Sequence, residues 1–94
     1  MQKNMIKAGI YELDAPIKGD MGVLFPMGSK VYINKVKSFR TFSVKVIEGY
    51  VDGKFRTDYL HDPDMMLIHV IRLQDTEGVD LTNEVERKSY LRKE

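Results

Sequence analysis

The sequence predicts an all-β protein: a small antiparallel barrel of five to six strands, followed by a short C-terminal helix or tail. Three observations predict it. Val and Ile together number 16 and Ala only 2, and all nine aromatics are Phe or Tyr. β-Branched and aromatic side chains suit a pleated, half-buried surface, whereas Ala is the best helix former. Apolar and polar residues alternate over short runs, and clusters of Gly, Pro and Asp separate those runs at regular spacing. The length of 94 residues suits a single domain over 1–94, with 82–94 as its helical or flexible tail.

Taken in order, residues 5–13 read as a first strand, with Ile6, Ala8 and Ile10 on one face and Pro16 ending it soon after. Residues 14–29 are irregular, broken by Pro16, Gly19, Gly22, Pro26 and Gly28, with Val23-Leu24-Phe25 as a short strand and Leu24, Phe25 and Met27 supplying packing. Residues 30–36 form a cleaner strand, Val31 and Ile33 facing one way, Lys30, Tyr32 and Asn34 the other. The longest strand spans 41–51. Its apolar phase slips between Val46 and Ile47 near Gly49, which predicts a bulge or bend. Asp52-Gly53 predicts a two-residue type I′ hairpin turn into a return strand over 54–60. His61 to Asp64 is a turn, 65–73 is a strand apolar on both faces and therefore central, and Gln74 to Gly78 is another turn. From Thr82 onward acids precede bases, as the helix macrodipole favours, and Thr82 or Asn83 is placed to cap.

The stretch Phe25-Pro26-Met27-Gly28-Ser29-Lys30-Val31 resembles the turn that opens a strand in SH3-like barrels. That resemblance covers seven residues and implies a fold, not a function. The competing architecture is an antiparallel sheet with the C-terminal helix packed on one face.

Several classes are excluded. There is no Cys, hence no disulfide, Cys-ligated zinc, iron–sulfur cluster or thiol nucleophile. No apolar run approaches a membrane span, and Met1 to Met5 lacks the apolar centre of a signal peptide, so a cytoplasmic protein without a membrane partner is expected. Neither a G-x-S-x-G elbow nor a phosphate loop is present, and Gly19-Asp20-Met21-Gly22 is not followed by G-K-[ST].

Three constellations carry chemistry. Asp58, His61, Asp62, Asp64 and His69 offer nitrogen and oxygen ligands of the type that hold Zn²⁺, Mn²⁺ or Fe²⁺. Asp also favours turns, however, and His69 among Leu67 and Ile71 suits a hydrogen-bonded core. Asp58, His61, Asp64 and His69 are the candidate ligands of a metal-dependent enzyme. Pro63-Asp64 with Glu86-Arg87-Lys88 imitates the P-D…E-x-K pattern of metal-dependent nucleases, but charged residues surround the E-x-K where that pattern needs an apolar strand. The third constellation is a basic, aromatic middle. Residues 30–56 hold seven cations against two anions, interleaved with five aromatics. Lys30, Tyr32, Lys35, Lys37, Arg40 and Lys45 would track phosphates and stack bases if they shared a face. The competing reading is a solvated face that protects edge strands.

The charge blocks weigh on function. The net +1 divides into 0 over 1–29, +5 over 30–56, −7 over 57–86 and +3 over 87–94. A two-signed surface suits oriented docking on another protein better than uniform coating of nucleic acid. The expectation is a non-enzymatic binding module or inhibitor without a cofactor, acting through protein–protein contacts that include the 14–29 loop. A nucleic-acid-binding barrel stands second, a metal-dependent enzyme third, and a homodimer is compatible with the small core.

Overall fold

Asp52 and Gly53 adopt φ angles of 54° and 82°, the two positive values a type I′ turn demands, and from that turn the main sheet is built outward. The computed structural model describes residues 6–19, 22–38, 43–61 and 69–93. The elements are β1 (Gly9–Leu13), β2 (Ile17–Gly19), β3 (Gly22–Phe25), β4 (Lys30–Ser38), β5 (Ser43–Val51), β6 (Lys54–His61), β7 (Ile71–Leu73) and the helix α1 (Glu84–Arg92). Five strands form an antiparallel sheet in the order β6-β5-β4-β1-β7, while β2 and β3 pair separately. Among the described residues no ladder joins β6 to β7, so no closed ring is formed.

Strand periodicity divides the apolar residues between two faces. Tyr11, Leu13, Val31, Ile33, Ile47 and Val51 point to one side, where Ile17 of β2 and Phe25 of β3 cover them. Ile10 and Tyr32 point to the other, where Leu91 of α1 closes over them, with Phe55, Leu81 and Tyr90 half-buried around it. The protein is therefore layered as hairpin, sheet, helix. The connection from β3 to β4 is tied to β1: Gly28 donates to the Leu13 carbonyl at 2.8 Å, and Leu13 donates to Ser29 at 3.0 Å.

Three expectations are corrected. The apolar phase slip at Val46-Ile47 is not a bulge, because β5 pairs with β6 in unbroken register from Val44 to Val51. The slip arises because β5 is covered on both faces. The register shift lies instead between Lys35 and Lys37, where β4 carries one extra residue against β5. Of the strand read over 65–73, residues 65–68 lie outside the described residues and 69–70 form a turn; Ile71–Leu73 is β7, which among the described residues is an edge strand beside β1 rather than a central one. In the first strand, Ile6 packs in the hairpin-side core while Ile10 packs under the helix, so the two do not share a face. Among the described residues no helix is long and apolar enough to cross a membrane.

Candidate functional site

The most chemically equipped region lies between α1 and the sheet. The helix start and the turn before it are held by three side chains: the Asn83 side-chain oxygen accepts from Glu86 N at 3.1 Å, the Glu86 carboxylate accepts from Asp80 N at 3.0 Å, and the Asp80 carboxylate accepts from both Thr82 N and Thr82 Oγ1. The Thr82 hydroxyl and amide hold the Asp80 carboxyl below its ordinary range. Lys88, one turn along from Glu84 at 2.8 Å, does the same for Glu84.

This cap aims Arg87 and Lys88 at the sheet. Arg87 Nε meets the buried Glu48 carboxylate of β5 at 2.8 Å, donates from Nη1 to the Leu81 carbonyl at 3.1 Å, and lies 4.9 Å from the centre of the Tyr32 ring. Lys88 Nζ stands 3.9 Å from the other Glu48 oxygen. A cleft of about 390 Å³ opens beside this group, lined by Tyr32, Asn34, Glu48, Thr57, Thr82 and Arg87. Its one carboxylate is held between two cations and its guanidinium is used three ways. The arrangement locks the helix to the sheet through charge-assisted contacts.

The residues of the basic, aromatic face are distributed over the molecule. Lys30 gives its ammonium to the Lys93 carbonyl at 3.0 Å and lies 5.4 Å from the Tyr90 ring centre. Tyr32 is buried under α1 and presents no open ring. Lys45 is only 2% exposed, in the middle of the long strand. Lys35 is exposed and pairs opposite Lys45. Lys37 stands in β4 opposite Val44, and Arg40 lies outside the described residues. The structure thus joins Lys30 to the helix end, places Tyr32 beneath the helix, and leaves Lys35 at the surface.

Of the metal candidates, Asp58, His61 and His69 lie among the described residues. Asp58 sits on β6 with its carboxylate on the neighbouring Tyr59 amide at 2.8 Å, and His61 ends the same strand. His69 is exposed in the turn before β7, at the other end of the strand order, so it does not lie across a hairpin from Asp58. Asp62 and Asp64 lie outside the described residues. Among the described residues no three His, Asp or Glu side chains gather as a metal-holding group. Glu86, Arg87 and Lys88 belong to a helix, where the first caps and the other two bind Glu48.

The sequence reading missed the surface apolar groups. Phe25, the one aromatic of the 14–29 stretch, is fully buried, and the side chains that stretch exposes are Val23 at 51% and Met27 at 68%. Val85, Tyr59 and Leu73 are also largely exposed. A signal was present for Met27: it sits between Pro26 and Gly28, and a turn tip cannot be buried by its own strand. No family model, curated protein or solved structure matches the chain.

Proposed function

We propose that the protein is a non-enzymatic binding module that acts by protein–protein contact, with the β2–β3 hairpin and the 26–29 turn as its docking surface. One observation carries this reading: Glu48, Arg87 and Lys88, the charged groups between α1 and the sheet, are engaged with one another, whereas Val23 and Met27 stand out in solvent on one small hairpin and its exit. Met27 is the flexible, polarisable kind of side chain that adapts to a partner's pocket, and Val23 adds apolar surface on the neighbouring strand. The SH3-like likeness belongs to the same reading. It rests on the 25–31 turn and on the fact that Leu60 of β6 and Ile71 of β7, from opposite ends of the strand order, pack on one core.

The test is a pull-down with the tagged chain from nuclease-treated lysate, repeated with Met27→Asp. A defined partner that survives nuclease and is lost in the variant is the expected result. No partner, or a partner released by nuclease, sinks the reading.

A second reading, nucleic acid, is favoured by a set of cations that shares only Lys30 with the one the sequence suggested. Lys88 and Arg92 lie 5.1 and 6.0 Å from the Phe55 ring centre, and Lys30 lies beside the Tyr90 ring at the helix end, its ammonium on the Lys93 backbone carbonyl. Retardation of an oligonucleotide that weakens steeply with salt would establish it.

A further inference from the structure

We infer that β6 pairs antiparallel with β6 of a second copy of this chain, about a two-fold axis at Thr57, so that two sheets run on as one. This does not depend on the reading above, which concerns another surface and another partner. Among the described residues β6 has one ladder neighbour, β5, and its other side is an edge. Starting from the two-residue turn, pairs in the β5–β6 ladder alternate between hydrogen-bonded and non-bonded, the bonded ones being Val51 with Lys54, Gly49 with Arg56 and Ile47 with Asp58. The backbone groups of Phe55, Thr57 and Tyr59 therefore point outward. In keeping with this, the Tyr59 amide has no ladder carbonyl and donates to the Asp58 side chain instead.

The sequence Phe55-Arg56-Thr57-Asp58-Tyr59 is complementary to itself when reversed about its centre. With Thr57 opposite Thr57 of the second copy, Arg56 faces Asp58, Phe55 faces Tyr59, and both relations occur twice. Opposite charges and aromatic pairs directly across strands are the favourable pairings of an antiparallel sheet. The register also agrees with the backbone: the residues it sets opposite each other as bonded pairs, 55 with 59 and 57 with 57, are those whose amides and carbonyls point outward. Tyr59, 57% exposed in the single chain, would gain a ring to pack on. A two-fold interface must be self-complementary in this way. A shift by two residues would put Arg56 opposite Arg56 or Asp58 opposite Asp58, so the charges select one register. Asp58 has a role in each state: it covers the Tyr59 amide in the single chain, and it turns to Arg56 of the second copy in the dimer. Arg56 spends Nη1 on the Leu24 carbonyl and has its other nitrogens for that contact.

The test is sedimentation of the full chain from 1 µM to 1 mM with residue-resolved amide exchange. The expected result is a dimer in which the Phe55, Thr57 and Tyr59 amides become protected as concentration rises. Arg56→Asp and Asp58→Arg each set like charges opposite each other and should weaken the dimer about tenfold or more, and the double exchange should restore it. Because Arg56 also binds Leu24, Thr57→Pro serves as a second probe: it deletes an outward amide without touching the β5 ladder, and should give a folded monomer. A chain that stays monomeric throughout, as when a foreign extended segment is the true occupant of this edge, overturns the inference. So does a dimer unaffected by all four variants, or one that protects β7 instead.

Discussion

Gly49 is the position where the core has least room. A methyl group there would lie 2.9 Å from the Phe25 ring and 3.2 Å from the Lys30 carbonyl oxygen, and Phe25 is fully buried with nowhere to retreat. Gly49→Ala is therefore expected to cost about 1–3 kcal/mol, seen as a lower urea midpoint at unchanged slope. Adding Phe25→Leu should recover part of the loss, because the two changes share one space. This glycine was visible in the sequence but its cause was not, since a strand glycine marks either a bulge or a close approach and only the three-dimensional neighbour distinguishes them. Lys45 and Glu48 show the same limit. Alternation placed Lys45 on an outer face because outer faces are where lysines usually go, yet β5 has no outer face, and both residues are buried.

At the scale of elements, α1 illustrates how a helix with a thin apolar stripe docks. Only Leu91 is fully buried, and Val85 is left outside. Arg87 over Tyr32 and Lys88 over Phe55 supply contact that an apolar stripe would otherwise give. Its start was legible to within a residue, from Thr82 or Asn83, because capping and charge order are local properties, whereas its end at Arg92 was not. Asn83 does cap, and the acids do precede the bases. The edge position of β7 was not legible, because an apolar run says how much of a strand is covered and not which neighbour covers it. Acid should loosen this helix first. Asp80 and Glu84 are held below the usual carboxylate range in the folded state, so the stability they contribute is complete above their unfolded pKa, roughly 4, and is lost as pH falls through their lower folded values. Amide protection factors in 84–92, corrected for the intrinsic pH dependence of exchange, should therefore fall below about pH 4 while those of β4 and β5 hold. Thr82→Val, which removes the hydroxyl donor to Asp80, should reduce that acid sensitivity.

For the whole molecule, the charge blocks of the sequence are partly folded into one another. The basic C-terminal segment turns back onto Glu48, one of the two acids in the basic middle, and Arg72 of the acidic block binds Asp14 at 2.9 Å and Glu12 at 3.6 Å. The surface is consequently less divided than the chain. Layering has its own outcome: each face of the sheet holds a separate core, so damage to one need not melt the other at once. Leu91→Ala should lower the opening free energy of α1 by about 2 kcal/mol or more, read by native-state hydrogen exchange, and should change the protection of Val31 and Ile33 far less. The position of β1 bears on how the protein reaches this state. β1 lies between β4 and β7, and the pairing of Tyr11 with Leu73 joins segments roughly sixty residues apart in the chain. The β5–β6 hairpin closes over two residues and can form almost at once, but β7 has nothing to dock on until β1 is already in place. Folding is thus expected to run from the turn at Asp52-Gly53 outward, with the return of the C-terminal third to the N-terminal strand as the step that loop closure makes slowest.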